Sequence, residues 1–133
     1  MIAYGATMSD QARVLVIDDD RDIQEFCRAL LEKQGYVVGL ASSGEEGRAA
    51  MTSSGADLVI LDVMMEQIDA EFETARWFSE NHPGVPVILF SSIAATSVDV
   101  FDMRSLKVAD IVNKPISPEA FLKKVSQLLK PKA

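Results

Sequence analysis

The sequence predicts a doubly wound α/β sandwich, a five-stranded parallel sheet covered on both faces by five helices. Three observations lead there. Five short apolar runs recur along the chain: "RVLVID" (13–18), "YVVGLA" (36–41), "DLVILDV" (57–63), "VPVILFS" (85–91) and "ADIVN" (109–113). Continuous apolar runs of this length suit strands buried on both faces, as in a parallel sheet. The segments between and after them repeat apolar residues at helical spacing. At 133 residues the chain suffices for one domain with a core of its own, and strands alternating with helices imply right-handed crossovers.

Each element has its own signals. Residues 1–10, "MIAYGATMSD", lack periodicity and read as a disordered lead-in or an expression remnant; the domain proper is 11–133. After the first strand, Ile23, Phe26, Cys27, Leu30 and Leu31 recur on one helical face, and Gly35 stops the helix. The second helix starts from Ser42 or Ser43 as cap and ends before Gly55. The third runs from about Ala70 to Asn81 and closes in "HPG", with Trp77 and Phe78 packing it on the sheet and one of those rings partly exposed. A fourth, over about 97–106, rests on a thin stripe of Val98, Phe101 and Leu106. The last has Ser117 as N-cap, Pro118 in its first turn, and Phe121, Leu122, Val125, Leu128 and Leu129 on one face.

Composition narrows the function classes. Twenty acidic against 13 basic residues give a formal charge of -7, which repels phosphate backbones and leaves no basic stripe for DNA or RNA. No apolar run is long enough to span a bilayer and no signal segment opens the chain, so the expected location is cytoplasmic. The single cysteine, Cys27, reads as a small core residue, and His82 as a solvated loop residue.

One feature of the first strand points to chemistry. Its aliphatic run ends directly in three aspartates, Asp18, Asp19 and Asp20. Ligands of open parallel sheets bind outside the carboxyl ends of the strands, where the strand order switches direction. The same edge receives Asp62 from the third strand, Ser91 and Ser92 from the fourth, and Lys114 after the fifth. Crowded carboxylates become tolerable around a hard divalent cation, and magnesium takes one or two of them together with waters and phosphate oxygens. Asp18, Asp19 and Asp62 supply such a partial shell, while Asp20 and Asp22 serve the start of the following helix. A carboxylate can itself accept a phosphoryl group. Asp62, a single acid set in an apolar strand, suits that role, with the Lys114 ammonium offsetting phosphoryl charge and Ser91 donating to a phosphoryl oxygen.

These residues together resemble the receiver domain of two-component response regulators, with a stand-alone, chemotaxis-receiver-like organisation. The match runs from Arg13 to Lys130 through "VLVIDDDRD", "DLVILDVMM" with Asp62, "PVILFSS" with Ser91, and Lys114 followed by Pro115. The resemblance implies a flavodoxin-like sheet of order 2-1-3-4-5. It implies Mg2+ as cofactor, held by Asp18, Asp19, Asp62 and the backbone carbonyl of Met64. It further implies Asp62 as phosphoacceptor, Ser91 as switch hydroxyl and Lys114 as phosphate-pairing lysine. The implied partners are a sensor histidine kinase or phosphotransfer protein and a downstream effector protein. No enzymatic turnover is implied beyond phosphoryl self-transfer and autodephosphorylation.

The sequence departs from the family pattern at three places. Where a Pro-Gly-Met-Asp-Gly-like loop is usual it reads "EQIDA" (66–70); Ile111 stands where an aromatic is usual; Lys107 and Val108 replace a Gly-Ala pair. The altered loop and the missing aromatic favour an alternative, a receiver-fold interaction module that works without phosphate. A metal-dependent phosphatase would want a second acid two positions after Asp62, where Met64 stands. A flavin-binding protein would want a phosphate-cradling loop where the three aspartates stand.

Overall fold

The computed structural model describes residues 11–63, 68–91, 110–113 and 117–129. Five strands form one sheet of order β2-β1-β3-β4-β5: β1 (Arg13–Ile17), β2 (Val37–Ala41), β3 (Leu58–Val63), β4 (Val87–Ser91) and β5 (Asp110–Asn113). Every neighbouring pair is parallel. The described helices are α1 (Arg21–Lys33), α2 (Gly44–Ser54), α3 (Ile68–Asn81) and α4 (Pro118–Leu128). The helix expected over 97–106 lies outside the described residues, as do residues 1–10.

The alternation of side chains along a strand sorts the core into two layers. Leu15 and Ile17 of β1 and Val59 and Leu61 of β3 face one side, where Met51, Ala75 and Phe78 of α2 and α3 cover them. Val14, Val16, Leu58 and Ile60 face the other, under Cys27 and Leu31 of α1 and Phe121 and Val125 of α4. Phe90 of β4 meets Phe121 edge to face, with centroids 5.5 Å apart, which ties the far half of the sheet to α4. Cys27 is buried, as a core cysteine should be.

Helix ends follow their caps. The Ser43 hydroxyl accepts from the backbone N–H of Glu46, and the Glu46 carboxylate accepts from the N–H of Ser42, a close relative of the capping box. The Ser117 hydroxyl accepts from Ala120 N–H at α4, and Asp20 caps α1 by accepting from Asp22 N–H. Two glycines let α2 lie close to its neighbours. A Cβ at Gly44 would overlap the Thr74 hydroxyl of α3, and one at Gly47 would overlap Ile17.

Four expectations need correction. Phe26 is not part of the buried face of α1: it is 44% exposed, and Gln24 is buried instead. The helix turns by about 100° per residue, so a face centred on Gln24, Cys27 and Leu31 carries Phe26 around to its flank. Strand β2 is not buried on both sides, because it is the sheet's edge; its exposure alternates and Val37 is open to solvent. Helix α3 begins at Ile68, two residues ahead of the start expected at about Ala70. His82 is half-buried rather than solvated, its ring 5.3 Å from that of Trp77, while Phe78 is fully buried beside them.

Candidate functional site

The site begins with register. The last β1–β3 pairs are Val16↔Ile60 and Ile17↔Leu61. The next residue on each strand is an aspartate, Asp18 and Asp62, and alternation sends both carboxylates to the face of Val16 and Ile60. Between β1 and β3 the strand order also reverses, since the chain goes from β1 outward to β2 and from β3 outward to β4 and β5. The two acids therefore stand at the switch point of the sheet.

Asp19 joins them from the middle of the β1–α1 turn. Carboxylate oxygens of Asp18, Asp19 and Asp62 all lie within 4.8 Å of one another. Asp18 and Asp62 are 4% and 5% exposed, while Asp19 is open to solvent. Carboxylates this close repel, and burial withholds the water that would screen them. The donor set fits magnesium: octahedral oxygens at about 2.1 Å from the ion stand roughly 3 to 4 Å apart, so three carboxylates within this span can share one coordination shell.

The turn that presents these acids is fixed by its own hydrogen bonds. Asp18 Oδ1 accepts from Asp20 N–H at 2.9 Å, which folds the turn back on the strand end. Gln24, one turn into α1, donates its Nε2 to the carbonyl of Asp18 at 2.6 Å, to that of Ala41 at 3.2 Å and to Ser42 Oγ at 3.2 Å. Asp18 N–H also donates to Ala41 O at 3.0 Å. One buried amide thus pins the carboxyl ends of β1 and β2 together.

A cleft of about 270 Å³ opens from the three acids toward the start of α2 and the middle of α3. Beyond Asp18, Asp19 and Asp62 its walls include Glu45, Glu73, Thr74 and Arg48. Arg48 Nη1 donates to the buried Thr74 hydroxyl at 3.3 Å.

The other expected site residues are placed only in part. Ser91 ends β4 in register with Val63 and Asn113, one step beyond the Asp62↔Phe90 pair, so its backbone stands at the same sheet edge; its hydroxyl is outside the described atoms. Lys114 follows Asn113, the last residue of β5, and itself lies outside the described residues together with Met64, Ser92, Lys107 and Val108. Gln24, Thr74 and Arg48 were not singled out from sequence. A signal for Gln24 existed, because it shares the helical phase of Cys27 and Leu31. Thr74 and Arg48 meet only through the packing of α3 on α2.

A family model of the response regulator receiver domain matches residues 14–126. The chain belongs to this family. Among relatives, the response regulator MprA of Mycolicibacterium vanbaalenii is 32% identical over 118 residues, covering 89% of this chain and 50% of the relative. The transcriptional regulatory protein GltR of Pseudomonas aeruginosa is 30% identical, covering 88% of this chain and 48% of the relative. The receiver spans about half the length of these curated relatives. Among solved structures, a CheY-like receiver domain protein from Methanospirillum hungatei superposes with a TM-score of 0.82 at 24% identity, covering 90% of this chain and 94% of that one. A two-component response regulator from Clostridium difficile does so with 0.82 at 22% identity, covering 90% and 97%. Both likenesses bear on the fold, and they agree with the flavodoxin-like strand order of this receiver. Among its described residues no helix is long and apolar enough to cross a membrane.

Proposed function

We propose that this receiver accepts a phosphoryl group on Asp62 from a phosphohistidine of a sensor histidine kinase or phosphotransfer protein, in a magnesium-dependent step. The observation that carries the reading is the convergence of Asp18, Asp19 and Asp62 within 4.8 Å at the sheet's switch point. A carboxylate oxygen of Asp62 attacks phosphorus, the phosphorus–nitrogen bond breaks, and the imidazole leaves with its electron pair. Asp18 and Asp19 complete with Asp62 the acidic partial shell for Mg2+, to which the Met64 carbonyl would add; the bound ion supplies charge neutralisation for the phosphoryl oxygens. Asp18 is oriented for this by the Asp20 N–H and by Gln24 behind it. Lys114 and Ser91 would then close on the phosphoryl.

The phosphorylated site carries new charge and three strong acceptors. Ser91 and Lys114, drawn toward it, would move the segment after β4 and bias the face formed by that segment, β5 and α4 toward an effector protein. The chain is on this reading a switch and not a turnover enzyme, limited to self-transfer and autodephosphorylation. Incubation with acetyl phosphate and magnesium, followed by intact mass, tests the chemistry: one added phosphoryl mass is expected in the native chain and none in Asp62→Ala. Equal masses in both would sink the assignment.

A second reading has its own support in "EQIDA" (66–70) and Ile111, which depart from the usual switch elements. There the same face binds its partner without phosphate. Amide spectra that do not change on adding beryllofluoride and magnesium would favour it.

A further inference from the structure

Arg48 is out of keeping with the cleft it lines. Among the described lining residues it is the one cation, facing Asp18, Asp19, Asp62, Glu45 and Glu73. Surrounded by so many acids, a guanidinium ordinarily settles into a bidentate carboxylate pair. Arg48 does not: its hydrogen bond goes to the neutral hydroxyl of Thr74, whereas Arg28 of α1 pairs with Glu25. Glu45 lies three residues before Arg48 on the same helix, within reach for an i,i+3 pair, and is not taken as partner.

The hydroxyl that holds Arg48 is itself well fixed. Thr74 is 2% exposed, and Gly44 is a glycine at the point where any larger residue would collide with that hydroxyl. The guanidinium is thus half-buried, anchored by a neutral group, and left with its full charge directed into an acidic cleft. A sphere of 270 Å³ is about 8 Å across, comparable to the roughly 8 Å screening length at physiological salt. Charge placed at Asp62 therefore shares with Arg48 a cleft whose width is no more than about one screening length.

We infer that Arg48, positioned by Thr74, sets the charge balance of the phosphorylation cleft: it weakens binding of the free divalent cation to Asp18, Asp19 and Asp62 and strengthens retention of the phosphoryl anion on Asp62. The inference rests on the function proposed above and adds to it a positioning residue whose effect has opposite signs for cation and anion. The physical cause is Coulombic. A fixed positive charge opposes the approach of Mg2+ and attracts a phosphoryl group, which is anionic. The cleft is in this way partly neutralised before any metal arrives, and once phosphorylated it gains a cation for the phosphoryl oxygens.

Opposed signs make the test specific. Mg2+ is titrated calorimetrically into the native chain, Arg48→Gln and Arg48→Lys at low ionic strength, and beryllofluoride is then titrated at saturating Mg2+, followed by amide shifts. Arg48→Gln is expected to bind Mg2+ about three- to tenfold more tightly and beryllofluoride more weakly by a similar factor, with both changes shrinking as salt rises. Arg48→Lys keeps the charge and stays near native. Thr74→Val keeps the volume, releases the guanidinium and shows the same opposed changes at smaller size. Unchanged Mg2+ affinity in Arg48→Gln, or affinities that fall for both ligands as they would on loss of a mere strut, overturns the inference. A native chain that takes no Mg2+ at all, indistinguishable from Asp62→Asn, instead overturns the functional reading beneath it.

Discussion

Asp18 and Asp62 stand side by side on neighbouring parallel strands, one residue past the registered pair Ile17↔Leu61, and both are almost wholly buried. This juxtaposition places two buried like charges together, with the solvent-exposed Asp19 beside them. Mutual repulsion among the three carboxylates opposes that arrangement, and a divalent cation bound between them should therefore be read out as stability.

Magnesium should accordingly stabilise the native chain. A ligand present at a hundred times its dissociation constant contributes about 2.7 kcal/mol to the folded state. Differential scanning calorimetry with and without a chelator should show the melting temperature rise with Mg2+ in the native chain and scarcely move in Asp62→Asn. In the chelator alone, Asp62→Asn should melt above the native chain, because one of the repelling charges is gone.

Gln24→Leu should cost about 1–3 kcal/mol, well beyond a typical surface change, because the carbonyls of Asp18 and Ala41 lose a buried donor. The same variant should weaken Mg2+ binding, since the turn that aims Asp18 is no longer tied to β2. Urea melts and metal titration read the two effects separately; a variant of native stability would show that the amide is dispensable.

On α1, Phe26→Ser and Leu31→Ala should diverge. Phe26 is 44% exposed and Leu31 fully buried. The first substitution should change stability by under about 1 kcal/mol, the second should cost about 2–5 kcal/mol. Equal losses would mean that Phe26 is packed after all.

At the start of α2, Gly44→Ala should destabilise by about 1–3 kcal/mol, although alanine is the better helix former by about 1 kcal/mol. The new methyl meets the Thr74 hydroxyl. Thr74→Ala in the same chain should recover most of that loss, and a double-mutant cycle in urea would measure the coupling. Purely additive losses would place the strain elsewhere.

Local pattern was sufficient for much of this protein. Apolar runs marked all five strands, the Ser42–Ser43 pair, Ser117 and Gly55 marked helix ends, and the step from "VLVI" into three aspartates marked the edge where ligands bind. Those features are written in neighbouring residues: a capping hydroxyl bonds within its own first turn, and a strand buried on both faces has no polar side to disguise it. Membership of the receiver family was equally legible from Asp18, Asp19, Asp62, Ser91 and Lys114 in order.

Other features depended on partners distant in the chain. That β2 is an edge strand with Val37 exposed follows from its having β1 on one side and, among the described residues, no strand on the other, which its apolar sequence does not reveal. That Phe26 turns outward and Gln24 inward follows from how α1 is rotated over the sheet: the amide finds the carbonyls of Asp18 and Ala41, and a buried polar group goes where its hydrogen bonds can be made. The meeting of Arg48 with Thr74 joins residues 26 apart, through a helix crossing that Gly44 and Gly47 permit by lacking a Cβ. Periodicity says which residues want to be buried; only the packed chain, where each group competes for space and for hydrogen-bond partners, decides what each of them touches.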